Sequence, residues 1–263
     1  MRISSLCGIR ALMRGLFIQN SIEYRLNVQG DTFEQGQSVV CELKIINRAG
    51  SPVILSAPTL RLALGDHKAV KAKSAEAFES APAAEIERGY ELAPGAELSQ
   101  CHTFVLDANA AISDKSRGLY LIYGDSADAA QLGQLPLSVS PHKHLRAVFD
   151  TLATVFSFIP KGESSKNGWT SAKLKPPESR EMSFVDELNL STRFIADEAL
   201  EVNFVFTVKK LDGSQTIVSV KKAKTEVNQI WEKNEYLFGG DFVRQEYVEA
   251  KIQEALAQVS SGL

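Results

Sequence analysis

His142-Lys143-His144 is the stretch of the chain with the densest potential chemistry. On an extended segment the i,i+2 spacing sets both imidazoles on one face, a geometry that metal sites use. A site needs a third ligand, and His67 and His102 are the only further histidines. The competing reading is a solvated, basic interdomain linker of His142, Lys143, His144 and Arg146. That reading is the expectation, with no metal and no cofactor. Lys209 and Lys210, facing Lys221, Lys222 and Lys224 across a hairpin, form a basic patch. It either attracts anionic lipid or acidic protein, or is a solvated sheet face. Asp186 and Glu187 are adjacent, so on a strand they point apart and cannot form a glycosidase-type pair by themselves. No G-x-G-x-x-G, Walker loop, H-E-x-x-H or G-x-S-x-G occurs. A non-catalytic protein is expected.

The elements that position these residues are bounded by composition. The chain has 263 residues, 44% hydrophobic and 23% charged, close to the globular average and far from a disordered or collagen-like chain. No apolar run reaches the roughly 18 residues that a spanning helix needs. A net charge of -3 gives no global basic field pointing to nucleic acid. Cys7, Cys41 and Cys101 are an odd, widely spaced set without a C-x-x-C pair, so a reducing, cytoplasmic setting is expected. Cys41, within the run Val39 to Ile46, reads as a small core residue.

Met1 to Phe17 carries Arg2, Arg10 and Arg14, no acid, and Ile3, Leu6, Ile9, Leu12 and Leu16 at roughly helical spacing. It is a surface helix, a targeting segment, or an extension ahead of a domain that begins near Phe17. From Ile22 the pattern is one of short strands and turns: Ile22 to Val28, Ser38 to Asn47, Val53 to Leu64 interrupted by Pro58, Leu98 to Leu106, Gly118 to Gly124 and Gln134 to Ser140. Gly65 to Gly89 reads as a long connection.

The second half repeats the theme. Strands are expected over Val148 to Ile159, Trp169 to Lys175, Met182 to Ile195 and Leu200 to Leu211, with Lys161 to Gly168 as a hairpin connection. Val202, Phe204, Phe206 and Val208 alternate toward one face, and Asp212-Gly213-Ser214-Gln215 turns that strand into Thr216 to Lys221. Glu246 to Ser260 is an amphipathic helix, its stripe of Val248, Ile252, Ala255, Leu256 and Val259 serving core packing or a partner. Many short strands argue for antiparallel sandwiches. The expectation is all-β: an extension over 1–16, a sandwich over 17–140, and a second over 141–263 with the terminal helix.

Several matches in order resemble the arrestin-like proteins. Gln29-Gly30-Asp31 followed by Gln35-Gly36-Gln37-Ser38-Val39 is similar to the start of that family's N-domain. Leu92-Ala93-Pro94-Gly95 and then His102 to Asp107 resemble its glycine turn and Phe-x-Phe-x-Leu-Pro strand, with Asp107 where Pro is usual. Ile112 to Tyr123 resembles the loop and strand that end the N-domain core. The resemblance implies two immunoglobulin-like sandwiches acting as a binding scaffold, in a family of trafficking adaptors and bacterial sporulation-control proteins. Arg25, Asp31, Asp186 and Arg193 are candidates for the polar core between arrestin domains, though none sits in an alignable motif.

The functional expectation is a cytoplasmic adaptor or regulatory scaffold for protein partners. The alternative is a peripheral membrane protein binding anionic lipid through its basic patch. Candidate partner-binding residues are Val53, Ile54 and Leu55, read as an uncharged edge strand, with Lys209, Lys221 and Lys222. Val53 and Leu55 packing in the core is the competing reading.

Overall fold

A computed structural model describes residues 13–74, 76–79, 82–180, 182–212 and 219–261, with side chains described outside 210–221. The chain divides into two compact units, the first ending at Ser140 and the second starting at Pro141.

The first unit runs β1 (Met13–Gln19), β2 (Ile22–Val28), β3 (Thr32–Glu34), β4 (Ser38–Asn47), β5 (Val53–Leu55), β6 (Pro58–Asp66), α1 (His67–Lys71), β7 (Phe78–Glu79), β8 (Tyr90–Leu92), β9 (Glu97–Val105), β10 (Arg117–Asp125), β11 (Gly133–Pro136) and β12 (Ser138–Ser140). One sheet has the order β1-β2-β4-β9 and the other β11-β10-β6-β7. Alternation makes them a sandwich. Tyr24 and Leu26 on β2 and Cys41, Leu43 and Ile45 on β4 bury against Leu60 and Leu62 on β6 and Leu121 and Tyr123 on β10. Short ladders β5-β8 and the parallel β12-β3 close the ends. Pro58 is the first residue of β6, where the missing N–H costs no ladder bond. β1 runs from Met13 to Gln19, and residues 1–12 of the Arg-rich segment lie outside the described residues.

The second unit runs α2 (Lys143–Thr154), β13 (Ile159–Lys166), β14 (Trp169–Lys175), β15 (Val185–Phe194), β16 (Leu200–Asp212), β17 (Ser219–Trp231), α3 (Lys233–Tyr236), β18 (Leu237–Phe238), β19 (Phe242–Val243) and α4 (Gln245–Ser261). Strands β13 to β17 form one antiparallel meander. Its inner face, with Leu174, Leu188, Leu190, Val202, Phe204, Phe206 and Val208, packs with Leu145, Val148, Phe149 and Leu152 of α2 and Val248, Ile252 and Leu256 of α4. The fold is thus mainly β in two tandem units with a C-terminal helix. In the second unit the layer facing the meander is helical.

Three expectations shift. The segment from Val148, expected as a strand, lies mostly in the helix α2. Leu145, Val148, Phe149 and Leu152 fall at i, i+3, i+4 and i+7, so a helix buries all four where a strand would expose about half. The stretch 161–168 is no mere connection. It holds most of the exposed strand β13 and the Asn167-Gly168 turn, with φ of 52° and 76°, the left-handed pair that a two-residue hairpin requires. β17 extends ten residues past Lys221 to Trp231. The expected turn at 212–215 lies mostly outside the described residues.

Candidate functional site

The His142-Lys143-His144 motif is neither extended nor a solvated linker; it starts α2. His142 is the N-cap, and its Nδ1 accepts the backbone N–H of His144 at 3.2 Å. His144 is buried. Its Nε2 stands 3.3 Å from the Asp241 carbonyl oxygen and 3.6 Å from the Asp241 carboxylate. The Lys143 ammonium donates to that carboxylate and holds it below the usual range. The two imidazoles meet edge-on with centroids 4.6 Å apart, and the edges of Phe194 and Tyr236 complete an aromatic box. Burial pushes His142 down to about 4, assisted by the neighbouring His144 and Lys143. Burial also lowers His144. Both rings are therefore neutral near pH 7, as their packing demands. Within the first unit, His67 bonds the Tyr120 hydroxyl and the Asp114 carbonyl, and His102 meets Phe104 edge-on. Among the described residues no three-ligand metal cluster forms.

What α2 holds is the hairpin β18–β19. Leu237 turns inward and Val243 packs against the core, while their neighbours Phe238 and Phe242 face each other across the ladder on the outside. These two rings are 68% and 72% exposed. Gly239 and Gly240, at φ of 60° and 85°, make the turn that brings them opposite one another. At the base the Arg244 N–H donates to the Tyr236 carbonyl at 2.8 Å, and the Tyr236 hydroxyl donates to the Glu198 carbonyl at 2.8 Å. Asp241, in the turn, is the residue that Lys143 and His144 grip. These contacts hold a hairpin that presents an aromatic pair to solvent. The signal was present in Leu237-Phe238-Gly239-Gly240-Asp241-Phe242-Val243, two alternating apolar pairs around a Gly-Gly turn.

The other candidate residues are dispersed. Lys222 donates to Asp186 at 2.6 Å and Lys209 lies 3.7 Å from the same carboxylate. Asp186 is pulled below its usual range by Lys222. The expected basic patch is a mixed-charge surface, extended by Lys173 and Glu187 at 2.8 Å; the Lys221 side chain lies outside the described residues. In β5, Leu55 is fully buried, Val53 half-buried and Ile54 60% exposed opposite Glu91. Packing and exposure thus coexist in one short strand. The polar-core candidates bond within their own units: Arg25 to Glu23, Arg193 to Glu201 at 2.6 Å with its guanidinium over Trp169.

No sequence family and no curated protein matches the chain. Among solved structures, Spo0M, a sporulation control protein from Bacillus subtilis, is similar at a TM-score of 0.59 and 15% identity, covering 91% of this chain and 99% of that one. A DNA-bound alkylpurine DNA glycosylase, AlkC of Pseudomonas fluorescens, matches at a TM-score of 0.28 and 10% identity over 45% of this chain and 30% of that one, too low to carry an argument. Sandwich, meander and terminal helix together with the first of these likenesses identify the fold: this chain has the arrestin-like fold of Spo0M.

Proposed function

We propose that this chain is a non-catalytic regulatory binding protein of the cytoplasm that docks a protein partner through the Phe238–Phe242 hairpin. The observation that carries this reading is the pair of facing phenylalanines, each more than two-thirds exposed, on a hairpin fastened by Lys143 and His144. Burying one such ring contributes about 1.5–3 kcal/mol, and aromatic anchors of this kind dominate protein interfaces. The fold shared with a sporulation control protein supports a regulatory role. The mixed charges around Asp186 speak against an anionic membrane as the target. β5, with Ile54 outward, is a second contact surface for the same class of partner.

Affinity capture from the host compares wild type with Phe238→Ser/Phe242→Ser. The expected result is a partner retained by wild type and lost by the double variant, with melting temperatures alike because neither ring is in the core. Equal capture by both proteins refutes docking at the hairpin. Co-sedimentation with anionic vesicles that disappears in the double variant would replace the protein partner with a lipid surface.

A further inference from the structure

The first unit contains a cleft of about 590 Å³ between the start of β6, the segment 83–88 and the turn that follows β10, within the size range of small-molecule sites. β6 alternates here. Leu60 and Leu62 enter the sandwich core, while Arg61 between them lines the cleft beside the wall of Pro58, Ala84 and Ile86. The Arg61 backbone is fixed on both sides, paired with Ile122 of β10 and bridged to Ala83. Its side chain is half-buried, and its Nε is buried with no hydrogen-bond partner among the described residues. No carboxylate of the described residues forms an ion pair with it. A guanidinium partly withdrawn from water with no anionic partner is unfavourable, and an anion bound beside it in the cleft offsets the loss.

The surrounding charges select the acceptor. Arg88 lines the same cleft, and so does Glu85. Asp125 lies at its edge, its carboxylate already accepting the N–H groups of Ser56 and Ala57. The lining itself carries two arginines, Arg61 and Arg88, against one carboxylate, Glu85, a net positive charge that a singly charged anion matches and a dianion exceeds. The planar edge of a guanidinium fits a carboxylate with two parallel hydrogen bonds. The wall of small apolar side chains fits a short carbon chain. We propose that this cleft binds a small aliphatic monocarboxylate, its carboxylate on the guanidinium of Arg61 and its chain against Ala84 and Ile86.

Titration calorimetry on the full chain tests this with sodium butyrate, inorganic phosphate and sodium chloride at matched ionic strength. Butyrate is expected to bind one to one with a Kd on the order of 1 mM, phosphate about tenfold more weakly, and chloride without saturation. Arg61→Gln should weaken butyrate by at least about tenfold. Ala127→Phe, which fills the cleft from an exposed turn, should abolish binding at an unchanged melting temperature, and decides the matter if Arg61→Gln does not fold. The proposal is overturned if butyrate fails to saturate, if phosphate binds more tightly, or if butyrate binds both variants as it binds wild type.

Discussion

Phe206 and Thr207 are consecutive, yet their environments are opposite. Phe206 is fully buried and stacks on Phe204 with centroids 6.1 Å apart, while Thr207 faces the polar side of the meander. Phe206→Ala should cost about 3–5 kcal/mol and Thr207→Ala under about 1 kcal/mol, read from urea midpoints. This facing was legible because β16 keeps a strict period of two. The histidine motif was not, because a two-residue spacing describes a strand face and a helix cap equally well. Its chemistry follows from burial. His142 titrates near 4 in the fold and near 6.5 when unfolded, so between these values the unfolded chain binds more protons. Stability is complete above about pH 6.5 and falls as pH drops toward 4. Asp186 and Asp241, held below the ordinary 3.8, lose their contribution only at lower pH, so the upper window reports the histidines. Chemical denaturation at pH 7.5 and 5.0 should show the loss. His142→Asn, which caps without titrating there, should reduce it.

At the scale of elements, strands with one buried face were readable and elements defined by partners were not. β14 alternates cleanly, and β2 and β4 keep apolar core residues at every second position although Glu23, Glu42, Ile46 and Asn47 between them are buried too. β13 is a polar edge strand whose residues are mostly exposed, and nothing in its own side chains distinguishes it from a loop; its backbone pairing with β14 makes it a strand. β17 escaped notice beyond Lys221 because Ala223, Thr225 and Val227 are modest inward residues between Lys222, Lys224 and Glu226. β5 sits between these cases. Ile54 projects outward and its cross-strand neighbour is Glu91. Ile54→Lys places opposite charges across the ladder, so stability should change by less than about 0.5 kcal/mol. If β5 contributes to docking, the same variant loses the captured partner. A collapsed melting transition would show instead that Ile54 packs against something essential.

At the scale of the molecule, tandem β units were visible from the rhythm of strands and turns, while the helical layer of the second unit was hidden by reading the α2 segment as a strand. Each unit has its own apolar cluster. A fragment of residues 13–140 should therefore fold alone, giving a sheet-type circular dichroism spectrum and a cooperative melt; an aggregated or uncooperative fragment would contradict this. The parallel pairing of β12 with β3 has a further consequence for biosynthesis. Val139 lies opposite Phe33, and both belong to the sandwich core. The strand that seals the first unit is thus translated about a hundred residues after the one it seals, and closing so long a loop is slow relative to local contacts. Until Ser138 to Ser140 leave the ribosome, the nascent chain carries Phe33 on an uncovered edge, the state in which it is most exposed to chaperones and to aggregation.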